Sequence, residues 1–375
     1  MEGQENEIKI ILPLMNDSAP SFSQAAWKRL KKNNGAIAGL FMILIAVVVA
    51  LFSYLIAPDP SPYANRIILE IGGEKPGFTQ QFLLVKKPDP RSTTFLSGLV
   101  SGFPDQYDHI PINSFTQKGD SIIADKYIDE GVSERIAFAT TSLAHDPVNE
   151  KTFWVGTDKY GRDILSRLII GTRVSLSVGL ITVLISLTVG IILGSAAGYY
   201  RGRTDDIIMW LINVIWSIPT LLLVFAITLL LGKGFWQVFI AVGLTMWVNV
   251  ARLVRGQVMA TKELQYIEAG RALGFSNFRI IARHILPNIM GPILVIAASN
   301  FASAIVIEAG LSFLGVGVQP PQPSWGLMIK ENYNFIITQN PMLALAPGFA
   351  IMILVLAFNL LGNGLRDALN VRGRI

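Results

Sequence analysis

Few side chains combine a reactive type with a spacing that could do chemistry. Asp158, Arg162 and Asp163 put two carboxylates and a guanidinium within six residues, which in a cleft would serve acid–base work. The same charges suit an ion-paired lead-in helix, the less demanding reading, so no catalytic residue is assigned. His109, His145 and His284 lie far apart, and a chain without cysteine has no disulfide, thiolate metal site or cysteine nucleophile. No metal and no cofactor are therefore expected. Glu308 closes the run Ala304-Ile305-Val306-Ile307-Glu308, and a charged acid within a membrane span costs about 2.5–3.5 kcal/mol. It should face a pore or a neighbouring subunit. Asn213, Asn249, Asn300 and Asn359 also sit in or at the ends of apolar runs, where amides bond between helices or line a path. No GxxxxGK[ST] phosphate loop is present, so any nucleotide chemistry belongs to another polypeptide.

The elements that must position these groups are apolar. The 375 residues are 51% hydrophobic and 15% charged, against about 25% charged in soluble proteins. Six runs, uncharged but for Glu308 in the fifth, approach the roughly 20 residues needed to cross a bilayer: Ala36 to Ile56, Val174 to Tyr199, Ile207 to Leu231, Phe235 to Val250, Ile289 to Leu311 and Leu343 to Leu361. The first is too long and too far from the start for a signal peptide and reads as a retained anchor. Pro219 beside Ser217 marks a kink in the third. The fold class is an all-α polytopic membrane protein with six transmembrane helices.

The net charge of +5 is distributed by side. Lys28, Arg29, Lys31 and Lys32 precede the first run, Arg201 and Arg203 follow the second, and Arg366, Arg372 and Arg374 follow the last. Six more cations lie between the fourth and fifth runs, whereas the short alternate loops, third to fourth and fifth to sixth, hold only Lys233 and Lys330. The long segment after the first run is left out of the count, because long outer loops translocate regardless of charge. By the positive-inside rule both termini are cytoplasmic. Such a distribution disfavours disorder and a nucleic-acid partner. The chain divides into a cytoplasmic segment (1–35), a first span (36–57), an extracytoplasmic insert with lead-in helix (58–172), a transmembrane core (173–365) and a cytoplasmic tail (366–375).

Within the first segment, Ser21 to Lys32 places Phe22, Ala26, Trp27 and Leu30 on one face of an interfacial helix that anchors to the lipid bilayer. The insert carries strand-like stretches at Ile67–Ile71, Gln81–Lys86 and Ser121–Tyr127 between turn signals, so it is small and β-rich. Between the fourth and fifth runs, Thr261 to Pro287 reads as a helical hairpin. Thr261 caps a first short helix that Gly274 ends, and Ser276 or Asn277 caps a second that Pro287 stops. Leu264, Ile267 and Leu273 fall on one side of the first helix, which a cytoplasmic loop needs only if something packs there.

These residues carry a resemblance. Glu268-Ala269-Gly270, Gly274 and Leu286-Pro287 are similar to the EAA loop of ABC-importer permeases, with Gly270 in place of the second alanine and His284 where isoleucine is commonest. Trp27-Lys28-Arg29-Leu30, Gly156 to Asp163 with Ser166-Arg167, and Leu311 to Gly315 followed by Gln319-Pro320-Pro321 and Ser324-Trp325-Gly326 narrow it to the dipeptide, oligopeptide and nickel permeases. It covers Ser21 to Pro58 and Trp154 to the C-terminus and leaves the insert unmatched. The resemblance implies the type I importer fold, a homologous permease as heterodimer partner, two cytoplasmic ATP-binding subunits and an extracytoplasmic substrate-binding protein. It further implies a bacterial cytoplasmic membrane and inward movement of peptides or a small solute such as nickel. The hairpin would receive the motion of the ATPases through Glu268, Ala269, Gly270, Gly274, Leu286 and Pro287. Glu308, Asn300 and Asn359 remain as residues of a pore or a subunit contact. The competing readings are a secondary transporter or channel working without an ATPase, and an anchored enzyme sited in the insert.

Overall fold

The computed structural model describes residues 22–89, 92–337 and 340–369, so Ser21 and the tail cations Arg372 and Arg374 lie outside the described residues. The basic helix α1 (Phe22–Leu30) precedes α2 (Asn34–Leu51), which Asn33 caps by accepting from the Ala36 N–H at 3.0 Å. Leu30 turns inward to pack on Ala36 and Ala368, while Trp27 stays about half exposed. A short helix, α3 (Ser53–Ile56), continues the path of α2.

The insert is built on strands β1 (Phe78–Lys86), β2 (Tyr107–Lys118), β3 (Ser121–Asp129), β4 (Val132–Ala139) and β5 (Leu143–Phe153), with the helix α4 (Phe95–Ser101) between β1 and β2. All pairs are antiparallel, in the order β4-β3-β2-β1-β5. Two-residue turns at Gly119-Asp120 and Glu130-Gly131 close its hairpins, with both glycines at positive φ as such turns require. Strand alternation sends Leu83 to a core with Ile112, Ile122 and Leu143, and Phe82 to a second core with Ile68, Ile71 and Phe153. The stretch Ile67–Ile71 is not a strand. It ends in one 3-10 turn, Leu69–Ile71, and the Ile68 N–H donates to the Tyr160 carbonyl instead of to a sheet.

The remaining chain is helical: α5 (Ile164–Tyr200), α6 (Gly202–Trp216), α7 (Thr220–Leu231), α8 (Phe235–Lys262), α9 (Gln265–Ala272), α10 (Asn277–Arg279), α11 (Met290–Phe313), α12 (Trp325–Asn332) and α13 (Met342–Leu369). Among the described residues five helical paths are long and apolar enough to span a membrane, and α6 with α7 forms a sixth only as a pair bent by 92°. Pro219 causes that break, since it lacks an N–H and disfavours helix in the residue before it. α5 starts ten residues before the expected Val174. Its first turn is held by the Asp163 side chain, which accepts from the Ser166 N–H, and by the burial of Arg167.

The stretch before α5 is a buried loop and not the expected surface helix. Asp158 is fully buried and Arg162 is 3% exposed. Arg162 pairs with Asp158 at 2.6 Å and with Glu331 of α12 at 2.8 Å, which ties the sheet's base to the helical core. Arg66 pairs with both Asp105 and Asp59, and the Asp59 N–H donates to the Ser166 hydroxyl at 2.8 Å. Burial pushes the Asp163 carboxyl above the usual range, partly offset by the nearby Lys151 charge.

Helices α5 and α8 pack closely because Gly190, Gly194 and Gly198 recur every fourth residue along α5. A Cβ at Gly194 would stand 2.5 Å from the Ala251 carbonyl, and one at Gly198 would stand 2.7 Å from that of Arg255. Small residues at this spacing let two membrane helices bring their backbones together.

Candidate functional site

Two features of the helical core could do work: the hairpin after α8 and a cavity among the spans. α8 runs past Val250 to Lys262, so Thr261 lies inside it, its hydroxyl donating to the Gln257 carbonyl at 2.8 Å instead of capping α9. Leu264 precedes α9 without a side-chain cap. The chain leaves α9 through Gly274 at φ +79°, with the Phe275 N–H donating to the Gly270 carbonyl at 3.1 Å. Ser276 then caps α10. Pro287 does not stop the second helix. A π-helical turn, Ile280–Ile285, and a 3-10 turn, Leu286–Ile289, carry the path into α11 and accommodate the missing proline N–H.

The hairpin has a buried base and an exposed crest. Ile267, Ile280, Ile285 and Ile289 pack with Val254 and Val258 of α8. Leu264 and Leu273, expected beside Ile267, instead point outward with Glu268, Ala269 and Phe278, and Leu273 and Phe278 are 74% and 80% exposed. Polar ties hold the base to α5: the Tyr199 hydroxyl meets Asn277 Oδ1 at 2.8 Å, and Lys262 Nζ donates to the Tyr199 carbonyl at 2.6 Å. Arg201 pairs with Glu263 at 2.7 Å.

The cavity, of about 630 Å³, opens among α6, α7, α8, α11 and α13. Asn249, Asn300 and Asn359 converge on it with the hydroxyls of Thr220, Ser299 and Ser303, and no charged residue lines it among the described residues. Asn300 is buried and donates to the Ser186 hydroxyl at 3.4 Å, while Asn359 is exposed to the cavity. Asn213 lies apart, accepting from Arg252 at 3.3 Å, and Arg252 stacks over the cavity-lining Trp216 at 3.7 Å. Glu308 is elsewhere. It is fully buried inside its own chain, where Oε1 accepts from the Ser312 hydroxyl at 2.6 Å. That hydroxyl in turn accepts from the Val318 N–H, so the acid organises the turn after α11.

Residues 190–374 match the family model described as the binding-protein-dependent transport system inner membrane component, and residues 21–70 match the N-terminal TM domain of oligopeptide transport permease C. The chain is 34% identical over 354 residues to the dipeptide transport system permease protein DppC of Bacillus subtilis, which covers 94% of this chain and 87% of that protein. The chain belongs to this permease family.

Further relatives of the permease are the glutathione transport system permease protein GsiD of Pectobacterium atrosepticum, 43% identical over 60% of this chain and 76% of that protein, and the oligopeptide permease OppC of Bacillus subtilis, 40% identical over 64% and 79%. Among solved structures, the methionine ABC transporter MetNI in an inward-facing state aligns with TM-score 0.46 and 18% identity, over 55% of this chain and 98% of that one. A permease of this family is a multi-pass inner-membrane transport subunit. It works in a membrane complex with a separate ATPase and a substrate-binding partner. Membership sets aside the self-sufficient transporter or channel and the anchored enzyme.

Two further functional features, the glycine seam of α5 and the tyrosine that joins it to the hairpin, are absent from the expected site residues. Both had a signal: three glycines four residues apart within an apolar run, ending in Gly198-Tyr199.

Proposed function

We propose that the hairpin at 261–287 receives the motion of the ATPase subunits and that the amide-lined cavity is this subunit's half of a path for short peptides. The observation that carries the proposal is the hairpin's division into a locked base and a bare crest. Its isoleucine base is packed on α8 and tied to α5, so it moves with the spans, while Glu268, Ala269, Leu273 and Phe278 stand free for a partner. Gly274 gives the crest its sharp end and Gly270 its close fold, while Leu286 and Pro287 carry it into α11. A crest of exposed apolar side chains with Glu268 and the cations Arg271 and Arg279 around them suits a groove on a soluble subunit. Two homologous permeases would each offer such a crest to one of two ATP-binding subunits.

An uncharged lining of amides and hydroxyls suits peptides of varied sequence, because it bonds the N–H and C=O groups that every peptide shares. It offers no carboxylate or imidazole for a bare nickel ion, and the relatives' names are those of dipeptide, oligopeptide and glutathione systems. Cation-rich flanks support a cytoplasmic side for the hairpin and both termini, which leaves the β-rich insert outside, toward the substrate-binding protein.

Co-purification tests the hairpin. Glu268→Lys should release the ATPase subunits and abolish substrate-stimulated ATP turnover. Gly274→Asp should act similarly by adding a charge at the crest, which Gly274→Asn, isosteric, uncharged and equally tolerant of the left-handed region, should largely avoid. Normal transport by the first two variants would overturn the assignment.

A further inference from the structure

The helix α4 lies in the insert, outside every segment given a role above. From Ser92 to Pro104 the chain has no charged residue, in an insert otherwise rich in charge. Phe95, Leu96 and Val100 project from α4 and are 60%, 72% and 69% exposed. The helix is nevertheless firmly placed. Gly98 takes the Phe103 ring so closely that a Cβ there would stand 2.2 Å from it, and Gly102, at φ +91°, brings the end of α4 against Pro62.

Two independent contacts fix its depth. Arg173 Nη1 donates to the carbonyls of Leu99 and Val100, both at 3.1 Å, and satisfies the end of α4. Arg173 is also the last charge before the uncharged run from Val174 to Tyr199, so it marks the membrane boundary on the sheet's side. On its other flank α4 packs against α3, the end of the first apolar run. There Phe52, Leu55 and Ile56 are about half exposed and continue the apolar surface of α2.

We propose that α4 is a lipid anchor, seated in the headgroup and upper acyl region of the leaflet next to the sheet, with Phe95, Leu96 and Val100 facing lipid. The bilayer is the occupant because the patch continues the lipid-facing surface of α2 and α3 and is held level with the charge that ends a span. An apolar helical face at this depth buries its side chains in the interface. Anchoring here would keep the sheet at a fixed tilt over the spans, independently of the ion pairs at its base.

The absence of cysteine makes a direct test available. Leu96→Cys, labelled with an environment-sensitive fluorophore, is examined in the complete importer reconstituted in lipid nanodiscs, with Glu134→Cys on the exposed strand β4 as the aqueous reference. The expected result is a blue-shifted emission at position 96, quenched by nitroxide-labelled lipid and spared by aqueous iodide. Quenching by iodide would place α4 in water and overturn the proposal. Protection from both quenchers would mean that a protein covers it, and would overturn it equally.

Discussion

His284 lies stacked on Phe275, with ring centroids 5.6 Å apart and planes 12° from parallel. Phe275 is also the side chain nearest Gly270, where a Cβ would stand 3.3 Å from its ring. The two departures from the family's usual loop therefore meet on one aromatic ring. An imidazole stacks on Phe275 where an aliphatic chain is commoner, and a glycine admits the ring at the fold of the hairpin.

If that ring is the hairpin's internal wedge, Phe275→Ala should weaken coupling more than Gly270→Ala does. It removes packing of about 2 kcal/mol for a half-buried aromatic. Gly270→Ala should be close to neutral, since a helix-propensity gain of up to about 1 kcal/mol opposes the pressure on the ring. Substrate-stimulated ATP turnover of the reconstituted complex checks both, and equal losses in the two variants would contradict the ordering.

Glu331 and Asp158 together balance two buried guanidiniums, Glu331 accepting from Arg162 at 2.8 Å and from Arg167 at 3.4 Å. Removing one member of such a cluster leaves charge uncompensated in the interior, at a cost of about 3–5 kcal/mol. Glu331→Ala should lower the melting temperature of the purified permease markedly, and Glu331→Gln, which keeps an acceptor, should lower it less.

His109, on β2, has its pKa pulled down to about 4 by burial and by the Arg66 charge. The unfolded chain takes up its proton near pH 6.5, whereas the folded insert stays neutral until about pH 4. In that window the unfolded state binds more protons, so stability falls as pH falls and is recovered above about pH 6.5. The protection factors of β1 and β2 amides, corrected for the slowing of intrinsic exchange, should fall between pH 7 and pH 5, and His109→Phe should remove part of that dependence.

Asn359 offers its amide to the cavity without a partner in hydrogen-bonding range among the described contacts of the chain. If it bonds a passing peptide, Asn359→Leu should reduce uptake by a few-fold to about 30-fold, the equivalent of roughly 0.6–2 kcal/mol for an intramembrane hydrogen bond. Peptide uptake into proteoliposomes of matched permease content measures it.

The hairpin's punctuation could be read from local chemistry, because Gly274 and Ser276 act within their own turns. Thr261 and Pro287 misled for the opposite reason. Packing of α8 on α5 carries helix through Thr261, and a π-helical turn carries the chain through Pro287. Similarly, Asp158, Arg162 and Asp163 suggested an ion-paired surface helix because Glu331, the second partner that Arg162 meets in the interior, lies more than 160 residues away in sequence. Glu308 drew attention to the pore by its position in an apolar run, but the hydroxyl that receives it belongs to the next turn of the same helix. For the amides, spacing placed all four in spans and could not show that three of them share one cavity.

α5 contains no proline and runs unbroken for 37 residues, about 55 Å at 1.5 Å per residue. One end grips the hairpin through Tyr199, and the other reaches the sheet's footing through Ser166 and Asp59. The crest and the sheet are thus mounted in series on a single strut, and a push on one end that tilts α5 must also swing whatever stands on the other.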